Sequence, residues 1–242
     1  MKTIILIFIL SLFSVSYSQD LLKDLIKKAD KINQEILNIT APTDEEENKI
    51  GENLHKKIVE GKKIIKEYKF DIKNIFEKIR THTSRKKINY SYTILKDKDV
   101  NAYAIAGGKI YLLSGLIDFL DSEDEIAFVI AHEIAHNELK HCIKRVQYSA
   151  IASEVNPALG DLVQIAYTLY NLPFSKEQEL EADSLAIQLM KKSNYDKQGA
   201  ISFFRKLQKL ESKYNSEKRN ELNDFISTHP NTEERIKKIE TY

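Results

Sequence analysis

The sequence predicts an α+β fold that is mostly helical, with a small antiparallel sheet beside one long helix. Through most of the 242 residues, apolar side chains recur with the period of amphipathic helices. Between residues 88 and 113 the period shortens to two, and the pair Gly107-Gly108 marks a hairpin turn. The longest convincing helical pattern follows directly and contains a His-Glu-x-x-His segment, residues 132–136. We expect the rest of the chain to be organised around this helix.

The first 18 residues have the pattern of a secretory signal peptide. Lys2 precedes an apolar run, and the small residues Ser16 and Ser18 stand three and one positions before Gln19. The run is shorter than the roughly 20 residues that a membrane-spanning helix needs. We therefore expect cleavage near Ser18 and a secreted or periplasmic protein. Cys142, the single cysteine, cannot form an intramolecular disulfide.

Charge and length limit the classes of function. The chain has 37 basic and 36 acidic residues, interspersed rather than clustered. Such a balance argues against nucleic acid as the main partner. After a signal peptide at 1–18, the remaining length suits one sizeable domain. We divide it into an N-terminal helical extension at 19–84 and a main domain at 85–242, which contains the His-Glu-x-x-His segment.

The extension shows two helical patterns. The first runs from Asp20 to Asn38. Thr43 or Asp44 caps the second, which we expect to continue to Ile65, with or without an interruption at Gly61. His55 and His82 are expected to be unpaired surface residues without a role, and the extension carries no motif that indicates a function.

Three strands are predicted before the long helix. Their ranges are 88–94, 100–106 and 109–113, and the third ends at Ser114-Gly115. A small sheet in this position can form one wall of a cleft. An exposed edge there can pair with an extended peptide.

The long helix begins with Asp121 or Ser122 as its N-cap. On a helix that turns about 100° per residue, His132 and His136 project about 40° apart, close enough to hold one Zn²⁺. Glu133 is placed to act as a general base without binding the metal. His141 lies about 180° around from His132, so a regular helix keeps it out of the same site.

A catalytic zinc needs a third protein ligand, and a later helix capped by Ser175 can supply it. Glu179 and Asp183 are four residues apart and share one face, so one can bind zinc while the other supports a ligand histidine. Glu177 with Glu181 is the competing pair, and the residues alone do not exclude it. The apolar stretch 155–172 between the two helices suits core packing better than a lid or a membrane-skimming helix.

These motifs resemble metallopeptidase family forty-eight, which includes the HtpX-type and CAAX-prenyl-protease-type zinc peptidases. That family has His-Glu-x-x-His followed much later by Glu-x-x-x-Asp, which Glu179 to Asp183 matches. Asn101-Ala102-Tyr103 with the following glycine pair resembles the family's edge strand and turn. The segment from Ser227 to Arg235, with its His-Pro pair, resembles the family's C-terminal element. The similarity covers roughly residues 90–239.

The resemblance implies a zincin-like fold of the gluzincin type and a role for each site residue. His132, His136 and Glu179 would bind one Zn²⁺ per chain, and Glu133 would move the proton. Asp183 and Arg235 would support the site, Arg235 by bracing the C-terminal loop through a carboxylate. Asn101, Ala102 and Tyr103 would bind the substrate backbone. His229 would donate a hydrogen bond to the developing oxyanion, or cap the zinc in a resting state.

The sequence departs from the membrane members of the family, since nothing after the signal segment is long enough to span a bilayer. It is closer to the periplasmic BepA-type members, without their 34-residue helical repeats after Arg235. We expect a zinc endopeptidase that cuts extended or misfolded polypeptide in extracytoplasmic quality control. The alternatives are a chaperone-like module that binds polypeptide with little turnover, and a helical structural protein. Besides the polypeptide substrate, we keep a peripheral association with membranes or membrane proteins as an alternative for its partners. The sequence does not indicate the identity of the substrate, the cleavage specificity or the oligomeric state.

Overall fold

The computed structural model describes residues 41–155, 173–213, 229 and 232–242. From residue 42 onward, the described residues belong to one compact unit. The predicted signal peptide, the predicted helix from Asp20 to Asn38 and nearly all of the apolar stretch 155–172 lie outside the described residues. Among the described residues, no helix combines the length and the apolar character needed to cross a membrane.

Over the described residues, helices surround one small sheet, as the sequence predicts. The helices are α1 (Asp44–Val59), α2 (Ile72–Arg80), α3 (Ser114–Phe119), α4 (Glu123–Glu138), α5 (His141–Val155), α6 (Lys176–Lys192), α7 (Gln198–Lys213) and α8 (Thr232–Glu240). The strands are β1 (Ile64–Ile65), β2 (Ser91–Leu95), β3 (Ala102–Ile105) and β4 (Lys109–Leu113). The mostly helical α+β class is confirmed.

Helix α4 lies at the centre of the core. Ser122 is its N-cap, and the side-chain oxygen accepts a hydrogen bond from the Glu125 amide at 3.2 Å. From Ile126 to Asn137 every residue is buried, because α4 packs against α2, α6, α7 and the sheet. A helix that is apolar on all sides is stable only when it is enclosed in this way. The helix therefore holds its polar residues, including both histidines, inside the protein.

The sheet is mixed, so the prediction of an antiparallel sheet is wrong for one strand pair. The strand order is β1-β2-β4-β3, with β2 parallel to β4 and the other two pairs antiparallel. The β3–β4 hairpin forms as predicted, and β4 then lies between β3 and β2. All five residues of β4 are buried, which suits a central strand. Strand β3 is left at one edge of the sheet, and it packs against α4.

Some predicted element boundaries also differ. The second helix does not reach Ile65: it ends at Val59, Gly61 turns the chain with φ of 70°, and Ile64–Ile65 pair with β2 as a strand. Strand β2 begins at Ser91 rather than residue 88. The cap at Thr43 is confirmed, with a capping box to Glu46.

Helix α1 lies over the turn between β3 and β4. Glu47 is buried, and its Oε1 accepts a hydrogen bond from the Gly107 amide at 3.2 Å. The approach is so close that a β-carbon at Gly51 would lie 2.3 Å from the Ala106 carbonyl oxygen. One turn further on, His55 Nδ1 lies 2.8 Å from the Tyr111 hydroxyl, so the prediction that His55 is unpaired is wrong. Residues of α1 therefore hold the hairpin in place.

Candidate metal centre

Helices α4 and α6 bring His132, His136 and Glu179 to one point. The Nε2 atoms of the two histidines are 3.0 Å apart. Glu179 Oε1 lies 3.4 Å from His136 Nε2, and its Oε2 lies 3.5 Å from His132 Nε2. Ser175 caps α6 as predicted, through a capping box with Gln178 that fixes where the helix starts.

Glu179 is the carboxylate of α6 that meets the histidines. The side chain of Glu181 is 62% exposed and contacts His141 instead, while Glu177 bonds to the cap residue Ser175. The pair left open by spacing alone, Glu177 with Glu181, therefore points away from the two ring systems.

His229 completes a group of four buried side chains. One donor atom from each of His132, His136, Glu179 and His229 lies within 4.8 Å of the others. His229 Nδ1 is 3.0 Å from Glu179 Oε1 and 3.3 Å from His132 Nε2. Since two or three imidazoles and a carboxylate are the donor set that zinc prefers, the group fits this metal.

Asp183 and Arg235 support the group from behind. His132 Nδ1 donates to Asp183 Oδ1 at 3.0 Å, so its Nε2 is the nitrogen that faces the other donors. Arg235 donates to both oxygens of Asp183 at 2.7 Å and lies 2.6 Å from Glu179 Oε2. It also donates to the backbone carbonyl of His229 at 3.2 Å. One buried arginine thus connects α8, α6 and the residue His229.

The electrostatics favour ionised carboxylates in the site. Burial works against ionisation of Glu179, but His229 and Arg235 hold its pKa well below the usual range. Burial likewise opposes ionisation of Asp183, and Arg235 again lowers the pKa. Burial disfavours a charged His132, yet hydrogen bonds to the two carboxylates raise its pKa to about 9. Carboxylates that stay ionised when buried are ready to bind a cation.

Glu133 is buried beside the four donors, and among the described residues neither of its carboxylate oxygens has a hydrogen-bond partner. Its Oε1 lies 3.6 Å from His229 Nε2. Leaving a buried carboxylate unsatisfied is costly, and native proteins rarely do so without a ligand, an ion or water to complete the site. The unsatisfied carboxylate of Glu133 therefore indicates that the residues present fit a cation and a water molecule.

Two side chains around His136 were not predicted from the sequence. Phe174 stacks on the imidazole, with ring centroids 3.6 Å apart and planes 12° apart. His141 approaches the other ring nitrogen, with the two Nδ1 atoms 3.0 Å apart. The prediction that His141 stays away required a regular helix, but α4 ends at Glu138. Burial lowers the pKa of His136 well below its ordinary value, which leaves the imidazole neutral.

The predicted substrate-binding residues lie outside the group of four donors. Ala102 opens β3, and Tyr103 stacks on Tyr111 of β4 with ring centroids 4.8 Å apart. Asn101 is buried just before the strand, and its carbonyl accepts from the Leu113 amide at 3.1 Å. Ala102 and Tyr103 therefore belong to the edge strand that packs on α4, and Asn101 directly precedes that strand.

Comparison with known proteins agrees with this geometry. The model of peptidase family M48 matches residues 69–242. The chain is 27% identical over 179 residues to the mitochondrial metalloendopeptidase OMA1 of Schizosaccharomyces pombe, covering 71% of this chain and 52% of that protein. It is 32% identical over 161 residues to the metalloprotease LoiP of Escherichia coli, covering 62% and 61%. With the β-barrel assembly-enhancing protease of E. coli it shares 25% identity over 184 residues, covering 68% and 37%.

The chain spans about half the length of the relatives it matches, 52% for the fission yeast protein. The family match nevertheless includes every donor of the candidate centre, from His132 to His229. The resemblance seen in the motifs is thereby confirmed. The chain belongs to peptidase family M48.

Proposed function

We propose that this chain is a zinc-dependent endopeptidase that cleaves extended or misfolded polypeptide. One observation carries the proposal: three buried metal donors, His132, His136 and Glu179, converge beside a buried carboxylate. That carboxylate, Glu133, has no hydrogen-bond partner within the part of the chain that the structure describes. A zinc peptidase needs this combination of a three-donor site and a nearby general base. Membership of the family supports the reaction class.

His132, His136 and Glu179 would hold one Zn²⁺ per chain, with Asp183 orienting His132 through Nδ1. When bound, zinc lowers the pKa of an attached water to about 7 and polarises a carbonyl oxygen. In the reaction, Glu133 takes a proton from the attacking water and later delivers it to the leaving amine.

His229 has two roles in this proposal, and they belong to different states. Its Nδ1 is 3.0 Å from Glu179 Oε1, within the donor group, so in a resting state it would be a fourth metal donor and close the site. When substrate enters, its ring would move aside and donate a hydrogen bond to the developing oxyanion. A zinc-bound structure without a His229 nitrogen near the metal would reject the resting role.

The substrate would bind as an added strand along β3, near Asn101, Ala102 and Tyr103. This strand forms an edge of the sheet and packs on α4, so a peptide paired with it would run past the metal helix. Backbone pairing tolerates many side chains, which suits a peptidase for unfolded chains. The task that we propose is quality control of proteins outside the cytoplasm. One similar protein is named a β-barrel assembly-enhancing protease, which supports a task connected with the assembly of other proteins.

We also propose a location outside the cytoplasm, in the secreted or periplasmic space. Support comes from the signal-peptide pattern of residues 1–18, which lie outside the described part of the chain. The test is intact-mass analysis of the exported protein: a mature form starting near Gln19 supports the proposal. Full-length protein confined to the cytoplasm would refute it.

The activity is tested with Glu133→Gln. The variant should bind one zinc per chain but cleave casein about 10² to 10⁴ times more slowly, because the general base is lost. Glu123→Gln, an exposed position of the same helix, is the matched control and should cleave normally. If Glu133→Gln cleaves as fast as the wild type, the mechanism is wrong. If the zinc-loaded wild type binds casein without cleaving it, the chaperone-like alternative replaces the peptidase.

A further inference from the structure

We propose that His141 is a positioning residue of the metal centre, which fixes His136 in the tautomer that presents Nε2 to the cation. Glu181 in turn orients His141. The inference rests on the proposed zinc site, and it adds two residues to it. Neither residue is among the four donors.

An interruption between two helices brings His141 to the site. Helix α4 ends at Glu138, and Lys140 adopts the left-handed conformation with φ of 61° before α5 begins at His141. A continuous helix would have turned this side chain to the far side of the metal helix. Because the chain turns at Lys140, the side chain of His141 is instead only 3% exposed, and its ring centroid lies 5.2 Å from that of His136.

The hydrogen-bond directions then follow from one requirement. If His136 offers the Nε2 lone pair to a metal, a neutral imidazole must carry its proton on Nδ1. That N–H lies 3.0 Å from His141 Nδ1, which accepts it. His141 must then carry its own proton on Nε2, which donates to Glu181 Oε2 at 3.2 Å. The ring N–H protons of His136 and His141 are thereby each assigned to one nitrogen atom.

The two ligand histidines are therefore supported differently. His132 donates to Asp183, which is buried and paired with Arg235. His136 donates to a neutral imidazole whose own partner, Glu181, is 62% exposed at its side chain. Without His141, the buried Nδ1–H of His136 loses its partner, and the tautomer with the proton on Nε2 becomes accessible. That tautomer cannot bind the metal, so the affinity falls.

The test compares His141→Asn with His141→Leu in the full chain. The two side chains are similar in size and both remove the ring. Asn can place its carbonyl oxygen where Nδ1 accepted, whereas Leu has no acceptor. Zn²⁺ is titrated into metal-free protein against a chromophoric chelator, and thermal unfolding of the metal-free forms checks that each variant folds. His82→Ala, at an exposed histidine, is the control for histidine number.

His141→Leu should weaken zinc binding about 10- to 100-fold, the usual effect of losing such a partner. His141→Asn should recover most of the affinity, and His82→Ala should match the wild type. If the wild type binds one zinc and His141→Leu binds zinc with the same affinity, this inference is overturned and the proposed function stays intact. A wild type that binds no zinc would refute the proposed function itself. If His141→Leu does not fold, Glu181→Ala decides: unchanged affinity overturns the inference, and a severalfold loss supports it.

Discussion

Replacing Arg235 with Met should strongly destabilise the metal-free protein. The guanidinium is fully buried, lies 2.7 Å from the two oxygens of Asp183 and 2.6 Å from Glu179. Met keeps an apolar stem near Phe204, over whose ring the guanidinium now lies at 4.5 Å. The loss is therefore mainly that of the charge. Removing one member of a buried ion pair costs about 3–5 kcal/mol, because the partner is left charged in a dry site.

This loss of stability can be measured as a fall in the melting temperature. In a domain of this size, 1 kcal/mol corresponds to about 2–4 °C, so Arg235→Met should melt roughly 6–20 °C below the wild type in chelator. Zinc should restore part of the loss, because the cation offsets the charge of Glu179. In a double-mutant cycle, Asp183→Asn with Arg235→Met should cost less than the sum of the single changes. Additive effects, or a metal-free Arg235→Met that melts within about 2 °C of the wild type, would refute the reasoning.

Three further experiments test other parts of the structure. Glu179→Ala should abolish stoichiometric zinc binding measured by elemental analysis, whereas Glu177→Ala should keep it, and the reverse result would assign the ligand to the other face of α6. Ser122→Ala should cost about 1 kcal/mol in denaturant unfolding, because the cap on Glu125 is lost, and an unchanged midpoint would contradict the cap. Burial raises the pKa of the Cys142 thiol, so a thiol reagent at pH 8 should modify it only as fast as the protein opens, and rapid modification of the native protein would show that it is accessible.

Features set by neighbouring residues could be predicted from the sequence. Thr43, Ser122 and Ser175 cap helices because a short side chain meets an amide three residues away, and this depends on little else. The hairpin of β3 with β4 also follows from the pattern and the glycine pair, whereas the burial of all five β4 residues does not follow from a period of two. The parallel pairing of β2 with β4 could not be predicted, since period-two apolar residues do not specify which strand lies alongside or in which direction.

In the candidate metal centre, too, contacts within one helix could be predicted from the sequence, whereas contacts between elements could not. The spacing of His132 and His136 placed them together because both lie on one helix face. Spacing alone left Glu179 and Glu181 open, and the choice needed the family resemblance, since how α6 faces α4 depends on packing over the whole core. The contact of His141 was missed because it requires Lys140 in a left-handed conformation, which is uncommon for lysine and has no sequence signal here.

The seating of α1 on the β3–β4 turn determines where a working fragment of this protein must begin. The family match starts at residue 69, after α1 has ended. A truncation made at that position would leave the Gly107 amide without the Glu47 carboxylate and expose the Tyr111 side of the sheet to solvent. The loosened hairpin carries the edge on which a peptide would lie. Expression trials should therefore start no later than Thr43, and loss of peptide affinity in shorter versions would reflect a frayed strand rather than a damaged metal site.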